Sequence, residues 1–209
     1  MVRAGRFIVF EGGEGSGKTT QAKLLANEIG ALLTREPGGT AIGERVREIL
    51  LDRSVAHVDA RAELMLMLAA RAEHVTGLIR PALEGGRDVV CDRFSASTLA
   101  YQGYGRGLDL RAIRSADELA RSGLEPDVVV LLDLDPRIGV GRLSRERDRI
   151  EGEDVEFFAR VRDGYLELAR ADPDRWVVVD ARASVDEVRD LVRAALEERL
   201  FETRWAVES

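Results

Sequence analysis

Phe7-Ile8-Val9-Phe10-Glu11-Gly12-Gly13-Glu14-Gly15-Ser16-Gly17-Lys18-Thr19 runs from an apolar stretch into the pattern G-x-x-x-x-G-K-[ST]. It reads as a buried strand that leaves through a phosphate-binding loop and opens a helix at Lys18. The glycines let successive backbone N–H groups turn inward around an anion, and the first helical turn adds its unpaired amides and positive dipole end. The residues expected to hold a nucleoside triphosphate are therefore Gly12, Gly13, Glu14, Gly15, Ser16, Gly17, Lys18, Thr19 and Thr20. Lys18 is placed to reach the terminal phosphates and Thr19 to ligate Mg²⁺. Downstream, Ala22, Leu25, Ala26 and Ile29 repeat at three and four residues, as one buried helix face requires. Only two lysines occur, Lys18 and Lys23, so a compact ammonium stands in this loop in a chain that elsewhere uses arginine.

Composition narrows the class. A chain of 209 residues with 45% hydrophobic content suits one globular domain, 1–209, and no repeat or low-complexity run divides it. The longest apolar runs, such as Val128 to Leu132, are too short to span a bilayer, and Met1-Val2-Arg3 is not followed by a secretory apolar region, so the expected compartment is the cytoplasm. A single cysteine excludes an intrachain disulfide framework, and the isolated His57 and His74 form no zinc cluster. Cys91 closes an apolar strand and reads as core, while both histidines read as surface residues. The net charge of −7, without a long Lys/Arg block, argues against nucleic acid as a partner and concentrates basic residues around small anions.

Apolar β-rich runs recur at Phe7 to Phe10, Ala31 to Thr34, Val89 to Cys91, Val128 to Leu132 and Trp176 to Val179. Helical patterns fill Lys18 to Ile29, Ile42 to Leu51, Asp59 to Glu84 (with a break near Gly77 or Pro81), Ser95 to Gln102, Leu110 to Ser122, Arg137 to Ser144, Val155 to Ala171 and Ser184 to Arg199. This alternation predicts an α/β fold with a parallel sheet covered on both faces. Ligands of such sheets sit beyond the carboxyl ends of the strands, so the residues after each run belong to one shared site. They are the phosphate loop, Arg35-Glu36-Pro37-Gly38-Gly39-Thr40, Asp92-Arg93-Phe94 and Asp133.

Two arginines and two carboxylates thus converge near a triphosphate. Arg35 and Arg93 are placed to grip a second phosphate, because a guanidinium fork bonds phosphate oxygens bidentately; the alternative is an ion pair with Glu36 or Asp92. Asp92 is placed to hold Mg²⁺, with Asp133 as the competing candidate. Arg142-Leu143-Ser144-Arg145-Glu146-Arg147-Asp148-Arg149 packs four arginines into eight positions and reads either as a mobile lid, about 142–152, or as a solvated helix face. A GTP switch would need Asn-Lys-x-Asp, yet the only asparagine is Asn27 inside the first helix. Extra anion clamps favour phosphoryl transfer to an acceptor over hydrolysis.

Four stretches together resemble thymidylate kinase: the loop from Phe7, Thr34-Arg35-Glu36-Pro37-Gly38-Gly39-Thr40, Asp92-Arg93-Phe94 with Ser97 to Tyr101-Gln102-Gly103, and Asp148-Arg149-Ile150-Glu151. The resemblance spans nearly the whole chain and is closest to bacterial enzymes with the catalytic arginine in the lid. In the other branch an arginine follows the acidic residue of the loop, where this chain has Gly15. The resemblance implies a P-loop NTPase fold with a five-stranded sheet and a helical lid, in a homodimer that uses ATP and Mg²⁺ to convert dTMP to dTDP for dTTP synthesis. It implies that Lys18, Arg93, Asp92 and a lid arginine, Arg145 or Arg147, are catalytic. It further implies dTMP contacts from Glu14 to the sugar 3′-hydroxyl, from Arg93 and Arg35 to the phosphate, and from Pro37, Met67, Arg71, Ser97, Thr98, Tyr101 and Gln102 around the sugar and base.

The chain also departs from that pattern. Met67 stands where many relatives place a phenylalanine on the thymine; a thioether covers a base face without offering a flat ring, and Met65 and Met67 also read as plain core. Phe94 lacks the hydroxyl of the frequent tyrosine. Ala60 to Ala72 carries more apolar residues than one helix face needs, which suits burial on two sides, and the tail 201–209 has no reading from the motifs.

Overall fold

The structure, a computed structural model, describes residues 4–55, 57–142 and 148–200. The tail 201–209, and residues 143–147 of the expected lid, Arg145 and Arg147 among them, lie outside the described residues.

Five strands form one parallel sheet: β1 (Phe7–Gly12), β2 (Leu32–Arg35), β3 (Val89–Asp92), β4 (Val128–Asp133) and β5 (Trp176–Asp180), in the order β2-β3-β1-β4-β5. The helices are α1 (Lys18–Ile29), α2 (Ala41–Leu51), α3 (Ala60–His74), α4 (Arg80–Glu84), α5 (Ser95–Thr98), α6 (Leu110–Arg121), α7 (Pro136–Arg142), α8 (Val155–Ala171) and α9 (Val185–Leu200). Successive side chains of a strand point to opposite faces, and β1 divides accordingly. Ile8 and Phe10 join Ala22 and Leu25 of α1, Val130 and Leu132 of β4, and Val188 and Leu196 of α9. Phe7 and Val9 face the other way, onto Val75, Ile79 and Phe94, while Val129 and Leu131 meet Phe157, Val161 and Tyr165 of α8. With both faces covered, β1 is buried along its full length, which is why it reads as a continuous apolar run rather than an alternating one.

Two predicted helices are interrupted by wider turns. The segment from α3 to α4 passes through a π-helical stretch at Val75–Ile79, and Pro81, which has no N–H to donate, falls in the first turn of α4. After α5 the chain continues as a π-helix over Leu99–Gly105, which buries Tyr101 and Gln102 together. The described return beyond the lid, 148–154, is turn rather than helix.

Strand order reverses at β1, whose chain continues toward β2 on one side, while β3 leads to β4 on the other. A crevice therefore opens beyond the carboxyl ends of β1, β3 and β4. Gly12, Asp92 and Asp133 end these strands.

Candidate active site

The phosphate loop folds as its glycines allow. Gly15 and Gly17 have φ of 69° and 90°, in the left-handed region that favours glycine. No side chain caps α1 at Gly17, so the amides of its first turn remain for a ligand. Gly15 also lies against α7: a Cβ there would stand 2.2 Å from the Gly139 carbonyl oxygen, and one on Gly139 would stand 2.1 Å from the carbonyl oxygen of Glu14. An arginine at position 15, as in the other branch, would require α7 to move. Gly139 is a loop-supporting residue without a sequence signal, because its partner is distant in the chain.

Lys18 Nζ donates to the Gly13 carbonyl at 2.6 Å across the loop. Burial lowers its ammonium from the ordinary 10.5 to about 8, with Arg93 adding to the push and Glu14, Asp92 and Glu11 opposing it. The protonated form is the one that attracts phosphate, and a bound triphosphate draws the pKa back up. Nucleotide affinity is thus expected to be complete below about pH 8 and to fall as pH rises through it, by up to about tenfold per unit, until the bound-state pKa is reached. Calorimetric titration of ATP across this range checks the slope. Lys18→Met should flatten it, and an unchanged slope would assign the titration to another group.

Asp92 Oδ2 accepts from Thr19 Oγ1 at 2.5 Å, while its other oxygen is buried without a hydrogen-bond partner among the described residues. Asp133 is corrected as a metal candidate: both its oxygens are engaged by Arg162 of α8, at 2.6 and 2.8 Å. Among the described residues no cluster of three or more His, Cys, Asp or Glu could hold a metal by itself. Thr20 lies exposed in the first turn of α1 and is not part of the cleft wall.

Arg93 follows β3 with φ of 73°, a strained position for a side chain of its size. The turn aims its guanidinium back over the loop. Nη2 donates to Glu14 Oε1 at 2.6 Å and Tyr101 Oη at 3.1 Å; Nη1 donates to the Gly12 carbonyl, Ser97 Oγ and Tyr165 Oη at 3.1, 3.2 and 3.2 Å. Glu14 also accepts from Tyr101 Oη at 2.7 Å, so it points into the site. Sequence reasoning missed the layer beneath. Buried Glu11 accepts from the backbone N–H of Phe94 and Ser97, from Ser97 Oγ and from Tyr165 Oη, tying β1, α5 and α8 together. Burial raises the Glu11 carboxyl, against the lowering effect of Ser97, Arg93, Phe94 and Tyr165.

A cavity of about 570 Å³ extends from Lys18 and Thr19 past Asp92 and Arg93. Arg35, Pro37, Met67, Arg71, Ser97, Thr98, Tyr101 and Gln102 also line it. Arg35 makes an ion pair, although with Glu44 of α2 at 2.8 Å rather than with Glu36 or Asp92. Arg47 is a further cation of the wall, donating to the Pro37 carbonyl at 3.1 Å; its place on α2 carries no motif. Met67 lines the cavity, whereas Met65 is 68% exposed and not core.

Arg71 is fully buried between two carboxylates, with Glu36 Oε2 at 2.7 Å and Asp117 Oδ1 at 2.5 Å, and its guanidinium lies over the Phe94 ring. His74 is corrected from surface to core: its Nδ1 and Glu36 Oε1 are 3.1 Å apart, and its Nε2 and Thr34 Oγ1 are 2.7 Å apart. Cys91 is buried as expected. At the described ends of the lid, Arg142 donates to the carbonyls of Ala181 and Arg182, and Arg149 to Glu63 and the Leu50 carbonyl. These two arginines anchor the described ends of the segment, while Arg145 and Arg147 lie outside the described residues.

The family model for thymidylate kinase matches residues 10–192. The chain belongs to the thymidylate kinase family. It is 48% identical to a thymidylate kinase of Desulfovibrio desulfuricans over 91% of this chain and 94% of that one, and 50% identical to one of a Synechococcus strain over 93% and 95%. A solved thymidylate kinase from Ehrlichia chaffeensis superposes with a TM-score of 0.76 at 36% identity, covering 92% of this chain and 99% of that one. As a member of the thymidylate kinase family the chain is an ATP-dependent phosphotransferase with a P-loop fold. Among the described residues no helix is long and apolar enough to cross a membrane.

Proposed function

We infer that the cavity receives dTMP and that the γ-phosphoryl group of ATP, held on the phosphate loop, passes to it to give dTDP and ADP. One observation carries this reading: Lys18 and Thr19 of the loop and the acceptor-side Arg93, Arg71 and Gln102 line a single cavity, so donor and acceptor anions meet. Arg93 and Arg35 hold the acceptor phosphate. Glu14, oriented by Arg93 and Tyr101, accepts from the sugar 3′-hydroxyl. Tyr101 packs under the deoxyribose, Pro37 supports the wall, and Met67, Arg71, Ser97, Thr98 and Gln102 surround the base.

The orphaned oxygen of Asp92 beside the Thr19 hydroxyl fits Mg²⁺, a hard cation that takes one or two protein oxygens and completes its shell with phosphate and water. The ion would neutralise charge on the transferring group. Lys18 and Arg93 add fixed positive charge there, and Arg145 or Arg147 would close over it.

Exposed apolar side chains on α3 and the two helices packed against it support a homodimer: Ile42 and Ile49 on α2, Met65 on α3, and Leu119, 84% exposed, on α6. Light scattering should give twice the 23.1 kDa chain mass, falling to one chain in Leu119→Glu; a wild-type monomer would remove the assignment. The function itself is tested by ADP release with dTMP, dUMP, dCMP, dGMP, UMP and no acceptor, with and without Mg²⁺. Preference for dTMP that needs Mg²⁺ is expected. Faster turnover of another acceptor would overturn the thymine assignment, with Met67 the first residue to examine.

A further inference from the structure

Glu63 of α3 is buried, does not line the cavity, and yet is approached by the donors around it from three directions. Oε1 accepts from Gln102 Nε2 at 2.8 Å and Arg106 Nε at 3.3 Å; Oε2 accepts from Arg149 Nη2 at 2.7 Å and Arg106 Nη2 at 3.4 Å. Burial alone would raise its carboxyl, but Gln102, Arg149 and Arg106 together hold it below the ordinary value, so Glu63 is ionised. An ionised carboxylate only accepts hydrogen bonds. The Gln102 amide must therefore turn its NH₂ group to Glu63, since the reverse orientation would set oxygen against oxygen. That leaves Gln102 Oε1, a buried oxygen with no hydrogen-bond partner among the described residues, on a side chain that lines the cavity.

An acceptor fixed at that point complements the N3–H of a thymine or uracil ring and opposes the N3 lone pair of cytosine. We propose that Glu63 is a specificity-positioning residue: by locking the Gln102 amide with its oxygen toward the cavity, it makes an imide N–H a requirement for the acceptor base. Arg106 and Arg149 keep the lock acceptor-only by neutralising the buried charge. Arg149 also ties it to the chain leaving the lid. The proposal rests on the reading of the cavity as the dTMP site.

Glu63→Gln is the test, because a near-isosteric amide can present either N–H or C=O to Gln102 and so frees it to turn over. Dissociation constants for dTMP and dCMP, and kcat with dTMP, are measured for wild type and variant. The preference for dTMP over dCMP should narrow at least about tenfold, the worth of one buried hydrogen-bond partner, with kcat at saturating dTMP within about threefold. Glu63→Asp, still acceptor-only, should keep the preference even where affinity drops. Equal losses for both nucleotides in Glu63→Gln would make the residue merely structural and overturn the proposal.

Should Glu63→Gln fail to fold, the wild-type Gln102 side-chain NH₂ resonances decide. Slow hydrogen exchange before any nucleotide is added is expected, and fast exchange would overturn the lock. A wild type that does not phosphorylate dTMP would reject the acceptor site itself, and the lock with it. A wild type that does, with the preference unchanged in the variant, rejects the lock alone.

Discussion

Arg93→Ala is expected to lower kcat/KM for dTMP by about a thousandfold, in line with removal of a guanidinium that stabilises charge on a transferring phosphoryl group. The side chain donates at once to Glu14, Tyr101, Ser97, Tyr165 and the Gly12 carbonyl, so its loss removes the fork over the loop and releases the carboxylate beside it. A carboxylate without its cation would then repel incoming phosphate. Arg93→Lys restores charge but not the planar fork and should recover only part of the activity. Alanine keeps the left-handed backbone demand at φ 73°, so the variant removes side-chain contacts without relieving the strain. Steady-state kinetics with a parallel thermal melt separate activity from folding. Activity within tenfold of wild type would remove Arg93 from the centre of the mechanism.

Arg71→Met should be the costliest single change to stability among the site residues, at about 3–5 kcal/mol, the usual penalty for breaking a buried ion network from one side. Glu36 and Asp117 are both buried against the guanidinium; without it, among the described residues, Glu36 keeps only His74 and Asp117 only Arg121, at 3.4 Å. The melting temperature should fall by roughly 10 °C for a chain of this size. Adding Asp117→Leu to Arg71→Met removes one of the two under-compensated carboxylates and should recover part of the loss. It should not recover dTMP affinity, if Arg71 also serves the base. Denaturant unfolding of the single and double variants measures the first effect and dTMP titration the second; a single variant as stable as wild type would show that water reaches the network.

The site was legible where chemistry is local in sequence. A phosphate loop needs its glycines, lysine and hydroxyl residue within eight positions, and Gly12 to Thr19 supply them consecutively. Arg35, Asp92 and Arg93 were legible because strands end where ligands bind, so position relative to an apolar run carries information. Glu14 was singled out through the resemblance, as a carboxylate among phosphate-binding groups, and it turns inward to Arg93.

What escaped was everything whose meaning lies in a distant partner. Glu11 stands just past the apolar run Phe7 to Phe10 with nothing local to mark it, and only α5 and α8 folded over it make it an anchor. His74 looked like a surface residue because nothing within its helix marks Thr34 and Glu36 as neighbours. Asp133 was as well placed as Asp92 until Arg162 of α8 closed over both its oxygens. Glu63 and Arg47 belong to no motif at all.

The sequence by itself determined the class of chemistry, the order of strands and helices, and the loop suited to an anion, because backbone periodicity and anion binding both act within a few residues. Tertiary structure alone decided which of two carboxylates is paired on both oxygens with an arginine, which arginines are anchors, and which way the Gln102 amide faces. Each of those outcomes depends on how a buried charge finds its partner. Burial makes an unpaired charge so costly that the fold, not the local sequence, settles the pairing.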